Sequence, residues 1–309
     1  MPLLAYAQDL TPITDRILSD PTYLPSKGQI YGETDYDYGS TTSDAFNTSG
    51  DRTAHDRTST DTITQHVAYG LTDRLSFNFS IDYQAAYQHD TSASGVLTDL
   101  NSRGFADPTF GVAYRLIDQT DHPFTLDAKA SYAPDVFTAR DPAPGVDGTI
   151  ATGGQQADFG LSLGHETRFF TLQGTVSARY VGPTDAENQY NGGAFHTSSY
   201  WVPTLAVASQ TRLTNRISFN VGGNYNFNGS PDVYNSFTGN TYQSNRGDYG
   251  QAILSLNYHF IPNALVGSLG YTHTFYGHTD NAFSYDPSLD TTVTRSTDTF
   301  GATLRYVFR

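Results

Sequence analysis

Three absences narrow this chain before any motif is read. There is no cysteine, so disulfides and thiolate metal sites are excluded. No apolar run approaches the roughly 18 residues that a membrane helix needs, which excludes a helical membrane protein but not a β-barrel. A transmembrane strand takes only about 9–11 residues and carries lipid on one side, so hydropathy averaged over both faces misses it. Basic charge is sparse as well: 17 Lys and Arg stand against 31 Asp and Glu, a formal net charge of −14. Nucleic acid is therefore not an expected partner, because phosphate binding needs clustered Lys and Arg. The ligand spacings of an HExxH helix or an EF-hand loop are missing too, and neither a metal nor a cofactor is expected.

Only 37% of the 309 residues are hydrophobic, yet the chain holds 22 Tyr, 19 Phe and 28 Gly. With abundant Ser, Thr, Asn and Asp, this composition suits strands joined by polar turns and leaves little for helices. Alternation at period two confirms the bias. Leu75, Phe77, Phe79, Ile81 and Tyr83 form one face of a strand whose other face is Ser76, Asn78, Ser80, Asp82 and Gln84. Ile217, Phe219, Val221, Tyr225 and Phe227 repeat the pattern against Ser218, Asn220, Asn224 and Asn226. Twelve such segments begin near Ile30, Thr62, Leu75, Pro108, Phe124, Gln155, Phe170, Trp201, Ile217, Gly250, Leu265 and Thr297. In the eighth, Pro203 lacks a ladder donor and is expected at a strand start.

Tight connections such as Gly70 to Arg74, Thr167 to Phe169, Arg212 to Arg216 and Ile261 to Ala264 alternate with long ones. The long ones are Thr41 to Thr60, Ala86 to Gly104, Pro134 to Gly154, Gly182 to Ser199, Gly229 to Arg246 and Gly277 to Thr294. The fold expected is all-β: a single closed antiparallel transmembrane β-barrel of 12 strands, with short periplasmic turns and long extracellular loops. Closure follows from the solvent, since an open edge in hydrocarbon leaves backbone groups unpaired at several kcal/mol each. A soluble sandwich satisfies the same alternation. Tyr69, Tyr83, Tyr114, Tyr132, Tyr180, Tyr258 and Tyr271 favour the membrane, because they sit at strand ends where interfacial girdles fall.

The terminal strand, with Phe300, Leu304, Tyr306 and Phe308 on one face, resembles the C-terminal targeting strand of bacterial outer-membrane β-barrels, although Arg309 follows the last aromatic. Tyr69 to Ser76 and Ala106 to Leu116 resemble recurring strands of the outer-membrane transporter family associated with meta-pathway phenol degradation. That resemblance implies a channel for small, often aromatic or hydrophobic compounds, and brings no binding residues with it. It places the chain in the bacterial outer membrane, and the even strand count returns both termini to the periplasm. The partners it implies are outer-membrane lipid and lipopolysaccharide, the barrel-assembly machinery during insertion, a small-molecule solute, and a periplasmic or envelope protein.

Leu3 to Ala7 reads as the remnant of a signal peptide, residues 1–7, cleaved before Gln8. Residues 8–28 have no strand pattern and form either a periplasmic tail or a plug, in which Thr11 and Pro12 would cap a helical turn through Ile17 and Leu18. The barrel takes residues 29–309. Twelve strands about 4.8 Å apart at roughly 40° tilt give a backbone radius of about 12 Å, which leaves room for small solutes if nothing fills the bore.

Inward positions carry Glu33, Asp35, Asp37, Asp82, Asp127, Asp158 and Glu166 against Arg115, Lys129, Arg179 and Arg305. Asp158 is expected opposite Arg179. The acidic surplus on the first strand implies a mildly acidic lumen that prefers cations or neutral polar solutes. The motif Gly160-Leu161-Ser162-Leu163-Gly164 spells a nucleophile elbow but lies mid-strand, the wrong context. No His and Ser spacing predicts a catalytic pair, so no enzyme is expected. An acyl hydrolase and a docking barrel remain the competing classes. The eight residues Leu71 to Asn78 recur as Leu213 to Asn220, which a twice-used turn explains as well as duplication does.

Overall fold

A strand that alternates apolar and polar side chains must find two different solvents for its two faces. The computed structural model, which describes residues 17–92, 97–188, 193–245, 247–261, 263–282 and 290–308, supplies both. Phe77 and Phe159 are 52% and 55% exposed on the outer wall, whereas Ser76 and Ser162 of the same two strands are 2% and 1% exposed inside. The residue ranges in chain order are β1 Ile30–Asn47, β2 Arg52–Gly70, β3 Leu75–Ser92, β4 Leu97–Phe105, β5 Thr109–Ile117, β6 Thr125–Ala133 and β7 Ala139–Asp141. There follow β8 Gln156–Glu166, β9 Phe170–Val181, β10 Thr184–Asn188, β11 Gly193–Thr197, β12 Tyr200–Arg212 and β13 Ile217–Asn226. The last are β14 Asp232–Asn235, β15 Asn240–Asn245, β16 Tyr249–Ile261, β17 Leu265–Tyr276, β18 Thr279–Ala282 and β19 Thr291–Phe308.

Twelve of these close a ring in the order β1, β2, β3, β5, β6, β8, β9, β12, β13, β16, β17, β19. Every pair is antiparallel, and the seam is an 18-residue ladder from Ile30 opposite Phe308 to Asn47 opposite Thr291. Both described ends of the barrel therefore lie at one rim, the rim of the short turns. There, Leu71 and Thr72 donate backbone N–H to Leu75 O, and Arg74 N–H is capped by Thr72 Oγ1. Leu213, Thr214 and Arg216 repeat the same three bonds with Ile217 O and Thr214 Oγ1. One turn chemistry, used twice on opposite sides of the ring, thus accounts for the sequence repeat.

The connections expected to be long loops are largely strand. β2 begins ten residues before Thr62, at Arg52, and β19 begins at Thr291 rather than near Thr297. The strands β4, β7, β10, β11, β14, β15 and β18 lie wholly within expected loops or their margins and extend the ring as a collar beyond the lipid band. Both faces are wet there, so the apolar stripe that reveals a strand in sequence is absent while the backbone ladder continues. The fourth strand is split in two, with β4 and β5 both pairing β3 on either side of Ala106 to Pro108. Pro203 is a further correction, because it sits fourth in β12, opposite Ala178. Its carbonyl accepts from Phe227 N–H, one residue past the last registered pair of β12 and β13. Its missing donor therefore faces the point where that ladder has already ended.

Candidate functional site: the lumen and its inner segment

The chain preceding β1 turns inward. Ile17 to Gly28 is coil and turn, not helix, and the Thr11 and Pro12 cap lies outside the described residues, as does the signal remnant at residues 1–7. Leu18, Ser19, Asp20 and Thr22 are buried within the ring at the short-turn rim. Asp20 is the hub. Its Oδ1 accepts from Thr22 N–H at 2.8 Å and Thr22 Oγ1 at 2.7 Å, and its Oδ2 accepts from Thr171 Oγ1 of β9 at 2.6 Å. Gln173 Nε2 donates to Pro21 O at 3.0 Å, Gln210 Nε2 to Ser19 Oγ at 2.7 Å, and Arg115 Nη2 to Thr22 O at 2.5 Å. Glycine makes the seat: a Cβ at Gly164 would stand 2.5 Å from Thr22 Cγ2.

The charged positions read from sequence all belong to ring strands, and most of them are paired. Arg115, 2% exposed, holds Asp127 with two bonds, Nε to Oδ1 at 2.9 Å and Nη2 to Oδ2 at 3.1 Å, and has Asp118 at 3.6 Å. Planar guanidinium against planar carboxylate gives that doubled geometry. Glu33 accepts from Arg305 Nε at 2.7 Å and from the Tyr31 hydroxyl. Asp158 and Arg179 stand in register and bond at 2.8 Å. Glu166 pairs with Arg212 at 2.7 Å, and Arg212 also reaches Asp20 at 3.9 Å. Among the described residues no ion pair engages Asp35, Asp37, Asp82 or Lys129. The acidic surplus anticipated for the first strand is thus reduced, since Glu33 is spent at the seam, but Asp35 and Asp37 remain.

Among the described residues, cavities open in the bore at two levels. The lower, about 530 Å³, has the inner segment's Leu18, Tyr23 and Leu24 on one side and Glu33, His66 and Lys129 on another. The upper, about 680 Å³, opens within the collar between Arg179, Tyr200, Tyr249, Tyr276 and Arg295.

Arg212, Arg295 and the three upper tyrosines were not singled out by sequence. The inward parity of β12 marks Arg212, whereas Arg295 and the strand end at Tyr276 border a stretch that reads as loop. The structure also brings together a pair that no spacing announces: Ser218 Oγ lies 3.2 Å from His259 Nε2, both buried. Asn257 Nδ2 donates to the same hydroxyl at 3.2 Å, and Ser19 Oγ lies 3.4 Å away, so the serine is enclosed in a polar network under the inner segment. Ser162 faces inward and bonds Thr175 at 2.9 Å, consistent with a wall residue. His165 and His273 are on the outer face, bonded to Pro123 O and Asp298 respectively.

The terminal-strand residues Phe300, Leu304 and Phe308 are exposed on the outer wall at 59%, 43% and 60%, and Tyr306 packs beside Phe308 with ring centroids 5.3 Å apart. Aromatic pairs such as Tyr271 with Phe300 and Tyr180 with Trp201 stand on the outer wall. A closed ring with an apolar exterior, aromatic margins and a polar bore defines a transmembrane β-barrel of the outer-membrane type.

Comparison of folds agrees. The chain is similar to an outer membrane channel from Pseudomonas putida F1, with 15% identity, 92% of this chain and 96% of that chain covered, and a TM-score of 0.55. It is also similar to the transport unit of the autotransporter AIDA-I from Escherichia coli, with 12% identity, 94% and 93% covered, and a TM-score of 0.54. No protein-family model matches the chain, and no curated protein matches it in sequence.

Proposed function

We propose that the protein is an outer-membrane channel for small solutes, aromatic or hydrophobic compounds among them, with a polar and mildly acidic lumen narrowed by residues 17–28. The observation that carries this reading is a bore holding two cavities of about 530 and 680 Å³ inside a closed wall. A structural barrel of this size has no need for such voids, and a twelve-strand ring lies between the filled eight-strand and the open sixteen-strand cases. The similar Pseudomonas putida protein is described as an outer membrane channel. Asp35, Asp37 and Asp82, without ion-pair partners among the described residues, supply the acidic character.

On this reading the short-turn rim and both termini are periplasmic, the signal remnant is residues 1–7, and the collar is extracellular. Lipid and lipopolysaccharide surround the wall, and the barrel-assembly machinery inserts it. The barrel itself takes residues 29–309, and no enzymatic role is assigned. Planar-bilayer recordings of the full chain and of a chain lacking residues 8–27 test the proposal. The expected result is small or intermittent conductance that rises on deletion, with reversal potentials in a salt gradient favouring cations. Absence of conductance from both chains overturns it.

A further inference from the structure

The upper cavity contrasts with the chain that builds it. In a protein of net charge −14, the residues that line these 680 Å³ include two arginines and three tyrosines and no carboxylate. Tyr249 and Tyr276 stack with ring centroids 5.7 Å apart and planes at 29°, and the guanidinium of Arg295 lies 5.5 Å from the Tyr276 centroid. Among the described residues Arg295 makes no ion pair. Arg179 gives its Nε to Asp158, at 2.8 Å. Elsewhere in the collar, Asp56 and Asp90 face each other across β2 and β3. The lining therefore sets two guanidinium groups beside an aromatic surface.

We propose that this cavity binds small aromatic carboxylates. A guanidinium fork matches a carboxylate with two parallel bonds, and a ring attached to that carboxylate would stack on the tyrosine faces. A neutral aromatic gains only the stacking. An aromatic cation meets the guanidinium of Arg295 and is repelled. The inference rests on the channel reading only for the passage of solute through the bore, and the anion preference it assigns is local to this cavity.

Calorimetric titration of the detergent-purified full chain with sodium benzoate, benzyl alcohol and benzylammonium chloride tests it. Benzoate is expected to bind at least about tenfold more tightly than benzyl alcohol, the scale of one charge-assisted hydrogen-bonded contact. Arg295→Gln is expected to remove most of that advantage and leave benzyl alcohol unchanged, while Arg295→Lys keeps part of it. Tyr249→Leu, which leaves both arginines in place, is expected to weaken both ligands. Equal affinity for benzoate and benzyl alcohol, a preference for the cation, or indifference of benzoate to both Arg295→Gln and Tyr249→Leu overturns the inference. A chain that conducts without binding benzoate loses this site and keeps the channel. A chain that binds benzoate and never conducts keeps the site and loses the channel.

Discussion

Glu33 and Arg305 meet across the seam that joins the first strand to the last, directly in register and 2.7 Å apart. Arg305 also donates to Ser268 on β17 at 2.8 Å, so a single guanidinium ties three neighbouring strands where the ring closes. Arg305→Ala leaves Glu33 uncompensated in a site where both side chains are only 21% exposed. The expected cost is about 3 kcal/mol, from the penalty of an orphaned buried charge, while Glu33→Gln combined with Arg305→Met costs less than the single change. Urea unfolding of the refolded barrel reads both, and a double variant no more stable than Arg305→Ala would refute the pairing.

Gly164 leaves room on the wall for Thr22 of the inner segment. A larger residue there must displace Thr22, whose Cγ2 occupies the space. Gly164→Val is expected to unseat the segment without opening the ring, because the ladder bonds of β8 to β6 and β9 do not involve the side chain. The readout is single-channel conductance, expected to approach that of the chain without residues 8–27. Unchanged conductance would mean the segment does not limit flow.

In the collar, burial and then the Asp90 charge directly opposite push the Asp56 carboxyl above the usual range. A carboxyl raised in the folded state binds its proton more readily there than in the unfolded chain, so this pair favours folding as pH falls through the raised value and opposes it above. Asp44 behaves oppositely: the hydrogen bond from His55 leads the effects that hold its carboxyl below the usual range. Its contribution is present above the unfolded value and is lost as pH falls through the folded one. Carbon-13 NMR titration is expected to show Asp56 returning toward the ordinary range in Asp90→Asn. An unmoved midpoint would leave burial alone as the cause.

The Ser218 and His259 contact looks hydrolytic in isolation, yet its serine is enclosed by Asn257, Gln210 and Ser19. A nucleophile must reach its carbonyl, and this one is 1% exposed. Hydrolysis of short nitrophenyl esters is expected at the background rate, unaltered by Ser218→Ala. Activity abolished by that substitution would restore the hydrolase alternative.

The sequence by itself determined the lipid-spanning wall. Two solvents act on two faces, so the parity of Leu75 to Gln84 or of Ile217 to Phe227 is written residue by residue, and the twelve ring strands follow from it. Inward parity alone also sets Asp158 beside Arg179. Parity fails where the solvents become the same. Thr53 to Thr60 and the residues around β10, β14 and β18 pair through backbone bonds with water on both faces, so no stripe betrays them. Long-range placement was equally hidden. Asp20 reaches Thr171 across 151 positions, and Ser19 reaches Gln210 across 191, contacts that closure of the ring creates and that no local spacing encodes. Only the tertiary structure decided that Glu33, Asp127 and Glu166 have arginine partners, and that Arg179 and Arg295 share a tyrosine-lined cavity whose lining holds no carboxylate. The cause is the closed ring, which fixes the neighbours across a bore about 12 Å in backbone radius.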